Sequence, residues 1–366
     1  MGRKMGFRIA RIFVFAASLG AFASAAEPRG LTWRRITPLP TAIAGHFIGT
    51  SHGMLIVAGG TRVSSAAHVK PQLVWEDRVY LLARPSGAWK TGYRLPVAMA
   101  YGASISTTSG LLCLGGANHR GHSNRVILLR VSSRGVETQE LPSLPWPCAY
   151  QGAALVAGAV YSVGGLPTFD PEDPRTHVCC LALPHGDDYG AADASTNELA
   201  WQTLPDCPDG ARALPLVVSG DGEVLVMSGF RIEYDTTGTA LRAYRRDVYR
   251  LTTNTRTWHR GRDMPRAAVG AATFVAADGS ILVLGGDDGG RAKPDAEGRA
   301  SWYSTSVLRY EPALDRWSEL DAASQMPSGV VTSAAAAWQD GLVIAGGEQV
   351  PAARSAEVHH AAFRPN

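Results

Sequence analysis

The sequence predicts an all-β fold, a six-bladed β-propeller whose last blade is closed by the N-terminal strand. Three observations predict it. An apolar strand that ends in a small residue and a glycine recurs six times, similar strands flank every copy, and the two chain ends supply complementary parts of one unit. The copies begin 56, 49, 64, 57 and 61 residues apart. Regular spacing of this kind is typical of a radial array of four-stranded blades.

Each repeat is centred on the apolar strand and its glycine. The six copies lie at 55–60, 111–116, 160–165, 224–229, 281–286 and 342–347. A strand of small residues precedes each copy by about ten positions, as at 101–106. Small side chains suit the crowded propeller axis, and the glycines allow neighbouring chains to approach closely.

Tryptophan leads the outer strand of most repeats. It does so in four units, at Trp89, Trp201, Trp258 and Trp317. A side chain of this size is expected to fill the gap between adjacent blades.

The chain ends complete one blade between them. After Gly347 the chain has only one more strand, predicted at 357–363, so the sixth unit lacks its tryptophan strand. Residues 31–36, which include Trp33, match that missing strand. Such a closure joins the last blade to the start of the chain and removes a free sheet edge.

Residues 1–25 predict a signal peptide, and 26–366 predict the propeller domain. Four basic residues precede an apolar run at 12–22, which is too short to cross a bilayer. Ala23-Ser24-Ala25 is typical of a cleavage site, so we expect a periplasmic or secreted protein. An uncleaved N-terminal anchor is the alternative. No later segment has the length and apolarity of a membrane span.

The charge balance argues against nucleic acid as a partner. The formal net charge is +3, and removing the four positive charges of the leader leaves −1. No basic cluster is interleaved with aromatic residues, as a nucleic-acid surface would require. The five cysteines form no C-x-x-C pair, so they indicate no zinc or thioredoxin-type site. The oligomeric state stays open.

Long loops predict which face carries the site. The connections between the second and third strands span 61–76, 117–124, 166–176, 230–245, 287–304 and 348–354. Long loops on a compact scaffold usually carry function. They emerge on the same face as the connections between blades, so we expect the site there, at the mouth of the axial channel.

The sharpest local feature lies in the last of these loops. Glu348 follows Gly347 directly, and Arg354 comes six residues later, across a turn that contains Pro351. A carboxylate and a guanidinium fixed at a loop mouth suit proton transfer and anion binding. An ordinary surface ion pair is the alternative interpretation.

These residues carry a family resemblance. The repeats resemble Kelch repeats, and the chain resembles the N-acetylneuraminate epimerase (sialic acid mutarotase) family, in its cyclically permuted branch. The family pattern Gly-Glu-x-x-Pro-x-x-Arg is matched by Gly347, Glu348, Pro351 and Arg354. Segments 95–103, 115–118 and 144–150 also look typical of that branch. The resemblance covers nearly all of the chain after residue 25.

The resemblance implies an exported isomerase that interconverts the α and β anomers of free sialic acid, with no cofactor and no metal. It implies Glu348 and Arg354 as the catalytic residues. Glu348 would transfer the proton, and Arg354 would hold the substrate carboxylate or polarise the ring oxygen. Further candidates for contact with the sugar acid lie near the channel mouth, at His46, Tyr101, Asn118, Tyr150, Arg212 and Arg266. Packing and loop hydrogen bonds are the alternative role for each.

Three other interpretations stay open. Asp287 and Asp288 also follow a glycine pair, but their spacing matches no known Ca²⁺ loop, which favours solvated acids. A noncatalytic Kelch propeller that binds a sugar acid or a protein is the main functional alternative, because a fold does not fix a function. A propeller-type copper oxidase would need a Tyr/His set with a crosslinking Cys, which the scattered histidines do not offer.

Overall fold

Six four-stranded antiparallel sheets are arranged radially as the blades of a β-propeller, which confirms the predicted fold. The structure, a computed structural model, describes residues 30–64, 71–183, 199–290, 293–294 and 300–364. The predicted signal peptide, 1–25, lies outside the described residues. Within these ranges no helix has the length and apolarity needed to cross a membrane.

The strands follow one another in the order expected of repeated blades. The first seventeen are β1 (Leu31–Arg35), β2 (Phe47–Ser51), β3 (Met54–Ala58), β4 (Thr61–Val63), β5 (Leu73–Trp75), β6 (Arg78–Leu82), β7 (Lys90–Arg94), β8 (Ala103–Thr107), β9 (Gly110–Leu114), β10 (Ala117–Asn118), β11 (Gly121–His122), β12 (Val126–Ser132), β13 (Gly135–Leu141), β14 (Gly152–Val156), β15 (Ala159–Val163), β16 (Val178–Ala182) and β17 (Gln202–Leu204). The others are β18 (Leu216–Gly220), β19 (Glu223–Met227), β20 (Phe230–Tyr234), β21 (Ala240–Tyr244), β22 (Val248–Thr252), β23 (Thr257–Gly261), β24 (Ala272–Val275), β25 (Ile281–Leu284), β26 (Lys293–Pro294), β27 (Ala300–Ser301), β28 (Val307–Glu311), β29 (Arg316–Glu319), β30 (Ala335–Trp338), β31 (Gly341–Ala345), β32 (Glu348–Val350), β33 (Ala353–Arg354) and β34 (Val358–Phe363).

Each blade uses four of these strands, from the axis outward. Blades 1 to 5 are β2-β3-β6-β7, β8-β9-β12-β13, β14-β15-β16-β17, β18-β19-β22-β23 and β24-β25-β28-β29, and blade 6 is β30-β31-β34-β1. Short hairpins project between the second and third strands of five blades, as β4-β5, β10-β11, β20-β21, β26-β27 and β32-β33. Two 3₁₀ turns, Pro312–Leu314 and Ala322–Ser324, lie in the connections of blade 5.

The hydrophobic core lies between adjacent blades. In one cluster Leu55 and Val57 of blade 1 pack with Trp338 and Val343 of blade 6, all of them buried. Cys113 of blade 2 is fully buried in a similar cluster, as expected for a small apolar side chain in a strand.

Tryptophan side chains connect neighbouring blades, as predicted. The indole N–H donates to a backbone carbonyl of the preceding blade in five cases, Trp33 to Ser324, Trp89 to Thr37, Trp201 to Pro142, Trp258 to Pro205 and Trp317 to Arg262, at 2.8–3.1 Å. A large ring with one polar edge therefore fills each gap and satisfies its own hydrogen bond there.

The N-terminal strand closes the ring of blades. The register runs from Leu31 opposite Phe363 to Arg35 opposite His359. The predicted bounds, 31–36 and 357–363, differ from the observed ones by one residue each. Leu31 is 1% exposed and packs among apolar residues of blades 5 and 6.

A ring of left-handed residues surrounds the axis where each blade begins. Its members, which we call the mouth ring, are Gly45, Tyr101, Tyr150, Leu214, Gly270 and Thr332, with φ between +52° and +66°. Backbone hydrogen bonds of 2.6–3.0 Å join five of the six neighbouring pairs, including Tyr101 to Gly45 and Gly45 to Thr332. The residue before each member bridges to the residue that follows the glycine of its own blade. The mouth ring therefore fixes the inner ends of all six loops.

Truncating Leu31 tests the closure. Leu31→Ala should lower the free energy of unfolding by about 2–5 kcal/mol, because it leaves a cavity in the contact that closes the propeller. Thr32→Ala, at the exposed neighbouring position, should change it by no more than about 0.5 kcal/mol. Urea unfolding of both variants measures the difference. Equal costs would show that the N-terminal strand does not contribute to closure.

Candidate active site

The hairpin of β32 and β33 brings Glu348 and Arg354 together. Its register places the two residues directly opposite each other, with a bulge between Glu348 and Val350. Arg354 Nη1 lies 3.6 Å from Glu348 Oε1, and the two side chains are 8% and 15% exposed. The pair is therefore largely removed from water, unlike an ordinary surface ion pair.

Arg354 reaches from blade 6 across to blades 1 and 2. Its Nη2 donates to the Tyr101 hydroxyl at 2.9 Å and to Thr61 Oγ1 at 3.2 Å. The two hydroxyl oxygens are themselves 3.0 Å apart. The buried Nε has no hydrogen-bond partner in the part of the chain that the structure describes. A buried guanidinium with donor capacity to spare is suited to bind an anion.

The Glu348 carboxylate is held by its own loop and by the mouth ring. Its Oε2 accepts the backbone N–H of Ala352 at 3.1 Å, and its Oε1 accepts the Thr332 hydroxyl at 3.5 Å. A carboxylate offers about four lone-pair positions. Glu348 therefore keeps acceptor capacity with which to take a proton from a ligand hydroxyl.

Aromatic side chains cover one side of this cluster. Tyr101 stacks on Tyr150 with ring centroids 4.9 Å apart, and Trp75 meets the Tyr101 ring edge-on at 6.0 Å. Burial raises the pKa of Tyr101 and, more strongly, that of Tyr150. Both phenols are therefore protonated at neutral pH and can act as hydrogen-bond donors.

Beneath the cluster, a cavity of about 410 Å³ runs along the axis between the innermost strands. The mouth ring lines its upper end, and much of the wall below is apolar, with Leu155, Val217 and Phe274 among its residues. Tyr101 and Thr332 belong both to the cavity wall and to the contacts of Arg354 and Glu348. The polar cluster therefore sits at the cavity mouth.

The structure brings some of the predicted residues together and leaves others outside this cluster. Tyr101 contacts Arg354 directly, and Tyr150 stacks behind it. His46 is buried beside the axial cavity. The Asn118 amide donates to the Ala98 carbonyl at 3.1 Å, and its oxygen accepts the Arg120 N–H at 2.8 Å. Asn118 therefore shapes its own hairpin.

Arg212 and Arg266 do not join the cluster. Arg212 is 1% exposed and makes a bidentate ion pair with Asp247 at 2.9 and 3.0 Å. Arg266 donates to Ser306 and to the backbone carbonyls of Ala267 and Gly285. Both guanidiniums are taken up by contacts where the chain enters blades 4 and 5, so the structure places them outside the cluster at the mouth.

Sequence reasoning missed Thr61 and Thr332. Thr61 is the first residue after its glycine pair, the position that Glu348 occupies in blade 6, and Thr332 is the mouth-ring residue of that blade. Aligning the six repeats position by position would have found both. Within the described ranges no three His, Cys, Asp or Glu side chains converge as metal ligands would.

No protein-family model matches the chain. Segments of it are similar to curated N-acetylneuraminate epimerases. That of Vibrio cholerae serotype O1 is 30% identical over 124 residues, which are 29% of this chain and 32% of the relative. That of Brucella suis is 29% identical over 115 residues, 26% and 29% of the two chains. That of Salmonella enteritidis PT4 is 30% identical over 109 residues, 25% and 28% of the two chains.

The matched segments thus span less than a third of these relatives. Together with the six-bladed fold, they support the resemblance to the N-acetylneuraminate epimerase family that the sequence motifs indicated.

The buried His46 predicts a pH dependence of stability. Burial lowers its pKa to about 4, although the nearby backbone of Ala345 opposes the shift. Between about pH 4 and 6.5 the unfolded chain binds a proton that the folded protein does not. The contribution of His46 to stability is therefore complete above pH 6.5 and is lost as the pH falls towards 4, by up to about 1.4 kcal/mol per pH unit.

His46→Gln should flatten the dependence of the unfolding free energy on pH across this window. Urea unfolding at several pH values measures it, with His52→Gln at an exposed turn of the same blade as control. An unchanged slope in His46→Gln would contradict the assignment.

Gly45 holds the slot in which Tyr101 lies. A Cβ added at Gly45 would stand 2.5 Å from two atoms of the Tyr101 ring, whereas one added at Gly53 would meet nothing within 4 Å. Both glycines have positive φ, so alanine is strained at either position. Gly45→Ala should therefore cost about 1–3 kcal/mol more stability than Gly53→Ala in urea unfolding. Equal costs would mean that Tyr101 moves freely.

Proposed function

We propose that this protein is an N-acetylneuraminate mutarotase, an isomerase that interconverts the α and β anomers of the free sugar acid by acid–base ring opening and closing. The observation that carries the proposal is the buried Arg354 beside Glu348 at the cavity mouth. The relatives named N-acetylneuraminate epimerase support the choice of sugar acid. The predicted leader supports a periplasmic or secreted location for this activity.

The distance between the two groups suits this substrate class. In a 2-ulosonic acid the carboxylate is bonded directly to the anomeric carbon. The group that binds the anion and the group that transfers the proton must therefore lie side by side. Arg354 would bind the carboxylate through its guanidinium, and Glu348, 3.6 Å from Arg354, would face the anomeric hydroxyl.

The proposed reaction conserves all atoms and electrons. Glu348 takes the proton of the anomeric hydroxyl while the bond from the anomeric carbon to the ring oxygen breaks and the ring oxygen takes a proton from solvent. The product is the open-chain ketone. After rotation about the bond to the neighbouring carbon, the ring oxygen attacks the other face of the carbonyl and releases its proton. Glu348 then returns a proton to the former carbonyl oxygen.

A noncatalytic binding module is the second candidate. Large apolar side chains are exposed on the loop face, among them Phe169 at 52%, Tyr234 at 57% and Trp302 at 49%. Exposed apolar groups of this kind favour contact with a partner molecule. Such a module would bind a sugar acid or a protein and accelerate no reaction.

Replacing the proposed base separates the two candidates. Glu348→Gln should lower kcat/KM for anomer exchange by about 100-fold or more, because the amide cannot accept the proton. Proton NMR of α-N-acetylneuraminate freshly released by a sialidase follows the exchange. Glu233→Gln, on the exposed hairpin of β20, is the matched control and should retain the wild-type rate.

Binding should survive this substitution. Saturation-transfer NMR with N-acetylneuraminate should show contact with both wild-type and Glu348→Gln proteins. If the wild-type protein binds the sugar acid but leaves its anomers exchanging at the rate found in buffer, the catalytic proposal fails and the binding module stands.

A further inference from the structure

One member of the mouth ring, Gly270, lacks a side chain although no neighbouring residue takes up the space. Four of its six members carry side chains at positive φ, so its backbone geometry does not by itself require glycine. At Gly45 the space is filled by the Tyr101 ring, which explains that glycine. At Gly270 an added Cβ would have its nearest neighbours, on Val331, Thr332 and Leu214, at 3.4–3.7 Å, which is ordinary contact. Gly270 therefore leaves a notch about the size of a methyl group, bordered by Val331 and Leu214, that no neighbouring side chain occupies.

The rest of the ring is occupied on one side. Tyr101 lies over Gly45, and Tyr150 stacks on Tyr101. Leu214 and Tyr150 pack against the buried apolar cluster that contains Leu166. The open sector of the mouth thus extends over Gly270, between Leu214 of blade 4 and Thr332 of blade 6.

A held carboxylate stands beside this notch. Asp287 follows the glycine pair of blade 5 and bridges to Val269, as Glu348 bridges to Val331 in blade 6. Its Oδ2 accepts the Tyr244 hydroxyl at 2.9 Å, and its Oδ1 accepts the Gly289 N–H at 2.9 Å. These two bonds use only part of its acceptor capacity. Asp287 is therefore held in place with lone pairs available for ligand hydroxyls.

The carboxylates of Asp287 and Glu348 both raise the pKa of the Tyr303 phenol. Burial, followed by the carboxylates of Glu348 and Asp287, raises the pKa of Tyr303 to about 12. A protonated phenol within electrostatic reach of both carboxylates makes this part of the mouth polar. It contrasts with the aromatic side at Tyr101 and Tyr150.

We infer that the notch at Gly270 and the carboxylate of Asp287 form a second subsite, which binds the hydroxylated side chain of the sugar acid. The inference rests on the proposed function. With the ligand carboxylate at Arg354 and the anomeric carbon at Glu348, the remaining carbons must extend away from both. The sector of blades 1 to 3 is filled by Tyr101 and Tyr150, so they extend over blade 5. There Asp287 accepts hydrogen bonds from hydroxyl groups of the chain.

Filling the notch tests the steric part of the inference. Gly270→Asn tolerates positive φ and places a side chain in the open sector. It should weaken N-acetylneuraminate binding by about tenfold or more, as measured by saturation-transfer NMR titration. Gly279→Asn is the matched control, since Gly279 has φ +80° in a turn at the other end of the same blade with nothing within 4 Å. Thermal unfolding of both variants checks that each is folded. Gly270→Ala, whose side chain fits the space, is a second variant that fills less of the notch.

Asp287→Asn tests the chemical part. It should weaken binding of N-acetylneuraminate by about tenfold, because hydrogen bonds to a charged acceptor are the stronger kind. It should change binding of the seven-carbon analogue, which lacks the two terminal carbons and their hydroxyls, by no more than about twofold. The adjacent Asp288→Asn is the control and should bind both ligands as the wild type does.

The outcomes distinguish this inference from the function on which it rests. A wild-type protein that neither binds N-acetylneuraminate nor speeds its anomer exchange overturns the proposed function. A wild-type protein that does both, with affinity unchanged in Gly270→Asn and Asp287→Asn, overturns the second subsite alone. An equal loss for the full-length and the truncated sugar in Asp287→Asn also overturns it, because the effect would then not depend on the side-chain hydroxyls.

Discussion

The mouth ring is the constraint on which the rest of the site depends. Each blade begins with a left-handed residue whose backbone is hydrogen-bonded to at least one neighbouring member around the axis. Left-handed geometry is costly for Tyr and Leu and more so for the β-branched Thr332, on the order of 1–3 kcal/mol each. The hydrogen bonds around the ring and the bridges to the loops hold these residues in place. Strain of this kind persists only where the surrounding structure determines it, which here is at the cavity mouth.

The same ring divides the mouth chemically. Its bridges place one loop residue per blade at equivalent positions, Thr61, Ala117, Leu166, Phe230, Asp287 and Glu348 in blades 1 to 6. Blades 5, 6 and 1 therefore present polar groups, and blades 2 to 4 present apolar ones. The side chains of the ring follow the same division, since Tyr101, Tyr150 and Leu214 belong to blades 2 to 4. The backbone repeats around the axis, but the mouth has a polar half and an apolar half. Such a mouth suits a ligand with one polar side.

The repeats predicted the blades, the closing strand and the Glu348–Arg354 loop because these follow from local pattern and spacing. They did not predict the use of Arg212, since its partner Asp247 lies 35 residues away, at the start of another strand of the same blade. Nor did they indicate Gly270, because the sequence does not distinguish a glycine that leaves a space from a glycine that permits a turn. Only the neighbours around Gly45 and Gly270 distinguish the two cases.

The burial of Arg354 explains why Glu348 must be its neighbour. A guanidinium removed from water is costly unless an opposite charge accompanies it, and the hairpin register supplies that charge directly across the ladder. Tyr101 and Thr61 accept hydrogen bonds from one nitrogen of Arg354 and carry no charge, so they leave its positive charge balanced by Glu348 alone. The bulge after Glu348 lets Ala352 hold the carboxylate from behind. One short hairpin thus sets a guanidinium and a carboxylate side by side, which is the arrangement that the proposed reaction would use.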